Sequence, residues 1–474
     1  MKTPGIFKKL QRRFQLKLLE NARPEALLAL GEKKMLRAFR KSGNSSPALR
    51  KILQSHRIDP ESVTSPEAFS ALDFTLSKEN TFNEFSLDEL CRPGVLDKLS
   101  SVLTSSGHSG NFAFGLSSWR QTEKIPDLID LALESAFQID RKKSLLVNCL
   151  PMGVRFPSNT VTQAEVSVRE DMALALIGKF SPYYDQLIIV CDPLFLKLLM
   201  DAAQGWSIDW GKIHKNLIIG EESFGENFRN YVGRQLHIDP DDPATGIIGS
   251  SMGVGELGLN LCFETPETIA LRRLINRTLA LKSKLFGCHS DADPLPMLFA
   301  YNPLAFHLET CDRGPDGYGA LLVSILEDDC PIPLFRYRTG DEARLLNGDD
   351  IRTAFQAQGM TCPALPKLPL LCVRGRDRDR LDDSGLHMGA VKDALYQDMG
   401  FADRITGAFR IEKDKPAQIH IQLRPGIRPD AVSLSGIFSG DHLLFSTGEI
   451  RLWDYDQFPY GKTIDYERKF RYLA

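Results

Sequence analysis

Residues 335–341 read FRYRTGD, inside the longer run PIPLFRYRTGDEARLL. Before it stands GALLVSILEDD from Gly319 and after it PLLCVRGRD from Pro369. Each is a short run of branched or aromatic residues bounded by turn formers, a texture that predicts antiparallel strands. A carboxylate placed at the end of such a strand, as Asp341 is expected to be, is presented to solvent or ligand rather than to a core.

Upstream the pattern changes. LLVNCLP from Leu145, DQLIIVCD from Asp185, KNLIIGE from Lys215 and ATGIIGSS from Ala244 are apolar runs separated by longer amphipathic stretches such as VREDMALALIGKF. Strands alternating with helices predict a mainly parallel sheet covered on both faces. Ligands of such sheets sit at the carboxyl ends of the strands, and three of these runs lead straight into Gly- or Ser-containing turns.

Farther out, residues 37–90 read as helices and short connections, a helical cap over residues 1–100. After Gly375, RDRDRLDD is charge-dense and reads as a solvated linker. Beyond it one helical segment, GAVKDALYQDMG, and two alternating ones, AFRIEK and AQIHIQLRPG, predict a small α+β domain. The expected fold class is α/β, with a large N-terminal domain (1–375) of mixed sheet flanked by helices and a small mobile C-terminal domain (376–474).

The chain has 474 residues, more than one core usually organises, and a formal net charge of -3. With 43% hydrophobic and 25% charged residues it is ordinary in composition. Such a balance offers no field for nucleic acid. No apolar run approaches a membrane span, and the basic start MKTPGIFKKLQRRFQLKLLE lacks the h-region of a secretory signal. Its Phe7, Leu10, Phe14, Leu18 and Leu19 recur at helical spacing, which suits a membrane-surface or partner helix. More ordinarily, the pattern suits a helix docked on its own protein with its basic face solvated. The nine cysteines, odd in number and scattered, fit reduced thiols and a cytoplasmic setting.

Chemistry concentrates in a few segments. The loop Thr104-Ser105-Ser106-Gly107-His108-Ser109-Gly110 can turn amides and hydroxyls toward a phosphate, with His108 as a further donor. It lacks the Gly-Lys-Ser/Thr ending of a P-loop. Cys262, Cys288, His289, Cys311 and Cys330 contain no CxxC pair, which leaves a zinc site unsupported.

The loop from Ser105 to Gly110 resembles the phosphate loop of the adenylate-forming superfamily of acyl-CoA synthetases and nonribosomal peptide adenylation domains. FRYRTGD matches that superfamily's Arg-Tyr-Arg-Thr-Gly-Asp motif from Arg336 to Asp341. VRGRDRD from Val373 resembles its hinge, and FPYGKTIDYERKF from Phe458 its terminal Gly-Lys motif. The four occur in family order. The region from Leu49 to Phe85 adds a similarity to phenylacetate-CoA ligases.

That resemblance implies ATP-dependent activation of a carboxylic acid as its acyl-adenylate, then transfer to a thiol, with coenzyme A as the expected acceptor. A carrier protein in trans or an amine is the alternative acceptor, and a binding protein of the same fold without turnover the alternative class. It implies that Asp341 holds the ribose hydroxyls, that Arg376 meets ribose or α-phosphate, and that Lys462 is the catalytic lysine, with Lys469 the alternative. Arg378 or Asp379 is the implied hinge. Gly220 and Glu221 resemble the adenine-side turn, and Gly249, Ser250 and Ser251 the nucleotide-binding strand that follows. There Ile248 replaces the usual aromatic residue and Met252 the usual Mg²⁺-holding glutamate, which leaves Glu256 as substitute ligand. Candidate walls for the acid, at residues 151–156, after Gly220 and at 250–258, lean apolar through Met152, Val154, Phe224 and Met252.

Overall fold

The computed structural model describes residues 5–104, 112–151, 153–289, 293–376, 387–412, 417–432, 448–461 and 464–473. The loop from Ser105 to Gly110, with Ser106, Gly107, His108 and Ser109, lies outside them. So do Arg378, Asp379 and Lys462.

Helices come first, at Gly5–Asn21, Pro24–Gly43 and Pro47–Ser55. Proline in the first turn starts the second and third, and the Ser46 side chain accepts the Leu49 N–H to cap the third. Phe39 is fully buried against Phe69, Phe74 and Phe335, so this helical layer is rooted on the segment that carries the FRYRTGD run. An antiparallel pair follows, β1 (Leu99–Thr104) and β2 (Phe114–Ser118).

The parallel strands are β3 (Ser144–Asn148), β4 (Thr162–Glu165), β5 (Gln186–Cys191) and β6 (Lys215–Ile219). β3 and β5 are buried along their whole length, as strands covered by helices on both faces must be. β7 (Ile248–Val254) pairs parallel with β6 but antiparallel with β8 (Gly258–Phe263). From there the sheet is antiparallel through β9 (Met297–Tyr301), β10 (Phe306–Cys311), β11 (Gly319–Ile325), β12 (Tyr337–Leu346) and β13 (Leu370–Arg376). All eleven form one sheet in the order β10-β11-β12-β13-β9-β8-β7-β6-β5-β3-β4. β7 is thus the strand at which pairing changes sense, the kind of place where ligands of open sheets bind.

A separate three-stranded sheet closes the chain: β14 (Ile405–Glu412) antiparallel to β15 (Ala417–Leu423), and β15 parallel to β16 (Gly448–Trp453). Two large hydrophobic clusters share the main sheet, and the first reaches into the C-terminal sheet through Ile411, Ile419 and Ile421.

Two expectations need correction. Asp341 does not end its strand: β12 runs on to Leu346, with a register shift against β11 between Arg338 and Glu342 and one against β13 just beyond, between Glu342 and Ala343. Such a bulge re-aims a side chain within a continuing strand. The helix Gly5–Asn21 does not dock by its apolar face with its cations in water. Arg12 is the buried residue and Phe7, Leu10, Phe14 and Leu18 are exposed. Arg12 turns inward because Asp130 and Asp140 receive it, at 2.8 and 2.6 Å.

Candidate active site

β12 distributes its motif residues to different tasks. Arg336, at φ 50°, donates from Nη1 to the carbonyls of Phe69 and Ser70, both at 2.7 Å, and so pins the helical layer. The Tyr337 hydroxyl donates to Glu256 Oε1 at 2.5 Å. Arg338 reaches outward to Asp312 at 2.6 Å. Thr339 accepts the Asp341 N–H at 3.2 Å, and Gly340, at φ 83°, supplies the left-handed backbone the bulge requires.

Asp341 and Arg376 are direct cross-strand partners on β12 and β13, with Nε 3.3 Å from Oδ1. The Arg376 side chain is 36% exposed and that of Asp341 10%. The two residues, 35 positions apart, form a carboxylate and a guanidinium where β13 ends, between interior strands of the sheet. Together they can accept hydroxyl protons and meet an oxyanion.

The β7–β8 turn reaches β12 through Glu256, which accepts the Tyr337 hydroxyl. Gly115 of β2 lies so near that a Cβ there would stand 2.0 Å from the Gly255 carbonyl. The strand after the 105–111 segment is therefore pressed onto the turn carrying Glu256. Ser250 is buried and its carbonyl accepts the Glu264 N–H at 2.8 Å, while Ser251 and Met252 pair with Phe263 and Cys262. Gly249 pairs with Ile218 of β6. Met252 packs against the main hydrophobic cluster, so the position of the usual acid is apolar in surroundings as well as in type.

Glu256 is 6% exposed. Besides the Tyr337 hydroxyl, the Lys78 ammonium lies 3.7 Å from Oε1, and Oε2 is buried without a hydrogen-bond partner. Burial first, and the Glu256 carboxylate second, push the Tyr337 hydroxyl far up, which keeps it a donor. No three His, Cys, Asp or Glu among the described residues are grouped to hold a metal, Cys262, Cys288, His289, Cys311 and Cys330 included.

At the carboxyl ends of β5 and β6 the chain's own C-terminal segment closes the crevice. Gly220 donates its N–H to the Cys191 carbonyl at 2.9 Å, and Glu221 takes φ 67° to turn the chain. Glu222 then accepts Lys392 Nζ at 2.6 Å and the Tyr472 hydroxyl at 2.8 Å. Burial alone would raise the Glu222 carboxyl; the Lys392 and Lys469 ammoniums override it and hold it below the usual range. Pro151, Asp192, Glu221, Glu222, Tyr466 and Lys469 line one small cavity there. Lys469 is thus at the strand ends. Phe224 lines the adjoining cavity with Glu222 and Tyr472, packed on Phe228 and under the Arg229 guanidinium.

The sequence did not disclose a second contact between the C-terminal region and the main sheet. Asp393 accepts the Asn227 N–H at 2.9 Å and so caps the helix Glu226–Leu236 from a distant part of the chain. Burial pushes Asp393 up to about 6. Gly225 permits this approach, because a Cβ there would stand 1.8 Å from Asp393 Oδ1. Gly225 was the only available signal in the sequence.

No protein-family model and no curated protein sequence matches the chain. Solved structures do. 2-Hydroxyisobutyryl-CoA ligase in the postadenylation state, in complex with R3-HIB-AMP, superposes with TM-score 0.62 at 12% identity, covering 95% of this chain and 89% of that one. The same enzyme in an open conformation with 2-HIB-AMP and CoA gives TM-score 0.54 at 12% identity, over 95% and 91%. Its thioesterification state gives 0.53 at 13%, over 95% and 89%. The chain therefore has the fold of the adenylate-forming acyl-CoA ligases.

Proposed function

We propose that this protein activates a carboxylic acid with ATP as the acyl-adenylate and transfers the acyl group to the thiol of coenzyme A. The observation that carries this reading is the Asp341–Arg376 cross-strand pair where β13 ends, in a chain that superposes on the ligase fold over 95% of its length. In this reading Asp341 accepts both ribose hydroxyls and Arg376 meets the ribose or α-phosphate oxygens. Gly220, Glu221, Gly249, Ser250 and Ser251 border the nucleotide. The segment from Ser105 to Gly110, His108 included, takes the leaving pyrophosphate, and Lys462 brings a point charge to the transition state. Residues 376–474 form the small domain, which pivots at Arg378 or Asp379 between adenylation and transfer.

Mg²⁺, which ATP chemistry of this kind employs to neutralise phosphate charge, does not find a cage in the described residues. Glu256 Oε1 is already engaged by Tyr337 and Lys78, so only its Oε2, buried without a hydrogen-bond partner, could meet the ion. The ion's other positions go to phosphate oxygens and water, which it commonly retains. A cytoplasmic setting and a phenylacetate-CoA ligase-like subfamily complete the proposal, with an apolar or aromatic acid as substrate and a carrier protein in trans as the alternative acceptor.

One observation favours a second reading, in which the fold binds nucleotide without turnover. Met252 is packed in the apolar cluster, and its proposed substitute Glu256 is tied to Tyr337 and Lys78. Pyrophosphate exchange into ATP over a panel of carboxylic acids separates the two. Exchange with at least one apolar acid is expected, and its hydroxamate should be trapped by hydroxylamine. ATP binding without exchange for every acid would overturn the ligase proposal. Lys462→Ala is expected to abolish exchange while Lys469→Ala retains it; the reverse would exchange the roles of the two lysines.

A further inference from the structure

The helix Gly5–Asn21 is inside out. Its inward side is polar: Lys8 donates to Asp127 at 2.8 Å, Lys9 to the Asp140 carbonyl at 3.0 Å, and Arg12 to Asp130, Asp140 and Thr160 at 2.8, 2.6 and 2.9 Å. Its outward side carries Phe7, Leu10, Phe14 and Leu18, exposed by 60, 58, 64 and 56%. At 3.6 residues per turn, their spacing of three, four and four puts all four in one narrow row. Arg13 and Lys17 are exposed along one flank of that row, and the helix's single acid, Glu20, lies at its far end.

A row of large apolar side chains held in water by a buried ionic anchor is a surface that something else covers. We propose that this face docks on an anionic lipid surface. Charge decides the occupant. A second copy of the chain, packed antiparallel row on row, would set Arg13 and Lys17 of one molecule on the same side of the seam as those of the other, without an acid on the face to offset them. Lipid headgroup phosphates and carboxylates complement both cations while the acyl boundary takes the aromatic and leucine side chains. Because Arg12 already fixes the helix on the protein, docking requires no further folding of the segment. The chain's net charge of -3 gives no general attraction to such a surface, so binding is expected to be local, reversible and weakened by salt.

Flotation of the full-length protein with vesicles of phosphatidylcholine alone, or mixed with phosphatidylserine, tests this. Binding to the mixed vesicles is expected to exceed that to the neutral ones. The double variant Leu10→Gln/Phe14→Gln is expected to bind about tenfold more weakly, with its thermal midpoint unchanged because both positions are exposed. Arg13→Gln/Lys17→Gln is expected to bind less at low salt and to lose most of its salt dependence. Phe14→Trp keeps the apolar face and reads the same event directly: its emission should shift to the blue on mixed vesicles. No flotation with either vesicle together with an unshifted Phe14→Trp emission would overturn the proposal. So would a dimer in sedimentation equilibrium that dissociates in the Leu10→Gln/Phe14→Gln variant, which would give the face to a second copy.

Discussion

Two clusters of carboxylates and guanidiniums, one on helices packed on the main sheet and one between its strands, differ in almost every physical respect. In the first, Glu226 meets Arg229, Arg272 and Arg273 at 3.1, 2.5 and 2.8 Å, and Arg229 meets Glu264 at 2.8 Å. Their side chains are at most 7% exposed, and Arg229 and Arg272 also donate to the carbonyls of Ile248 and Pro296. In the second, Asp341 and Arg376 meet by an Nε contact of 3.3 Å where β13 ends. A buried ionic net is tolerable only when each member is compensated, and this one spends its valence on positioning β7 and the loops around it. The Asp341–Arg376 pair is partly solvated and its contact long, so a ligand can compete for it at little cost. Burial, more than residue type, thus separates the two clusters.

The sharpest test of that contrast is Glu226→Gln. It leaves three buried guanidiniums facing a neutral amide and is expected to cost about 3–5 kcal/mol in urea unfolding. A cost below about 1 kcal/mol would remove the distinction between the two clusters. Asp341→Asn should behave oppositely, with unfolding free energy changed by less than about 1 kcal/mol and pyrophosphate exchange reduced by about a hundredfold. Substantial unfolding in that variant would make Asp341 a structural residue.

Gly225→Ala probes the contact between the C-terminal region and the main sheet. Its new Cβ would overlap Asp393 Oδ1, and a loss of about 1–3 kcal/mol is expected. An unchanged thermal midpoint would mean that Asp393 moves aside without consequence.

The smallest effect expected is on pH dependence. Burial raises folded Asp393 to about 6, above the ordinary aspartate value. Between those two values the folded state holds the extra proton, so the stability this residue contributes is full at lower pH and is lost as pH rises through about 6. Asp192, which caps the helix Pro193–Ala203, is raised to about 6 by burial and by Glu222 and Glu221, and acts with the same sign. Thermal midpoints of Asp393→Asn and the parent protein, compared at acidic and neutral pH, should show a smaller fall with rising pH in the variant. Parallel profiles would mean that Asp393 does not titrate in this window.

The parallel strands were legible because β3, β5 and β6 are apolar runs too short for helices, bounded by turns. Asp341 and Arg376 were legible because each stands in a local pattern. Their pairing across 35 residues and the bulge that sets Asp341 within β12 were not, since register depends on the partner strand. Glu222 illustrates the same limit from the other direction. It stands beside Glu221 in an expected nucleotide-side turn, yet its carboxylate is held by Lys392 and Tyr472, 170 and 250 residues away.

By itself the sequence determined the α/β alternation, the antiparallel half and the separate C-terminal strands, because these rest on local periodicity and turn chemistry. Only the tertiary structure decided which charges are saturated and which face of the first helix is exposed. Helical periodicity defines two faces without saying which one docks. That was settled by Asp130 and Asp140, more than a hundred residues from Arg12, whose carboxylates make burial of the guanidinium favourable and leave the apolar row outside.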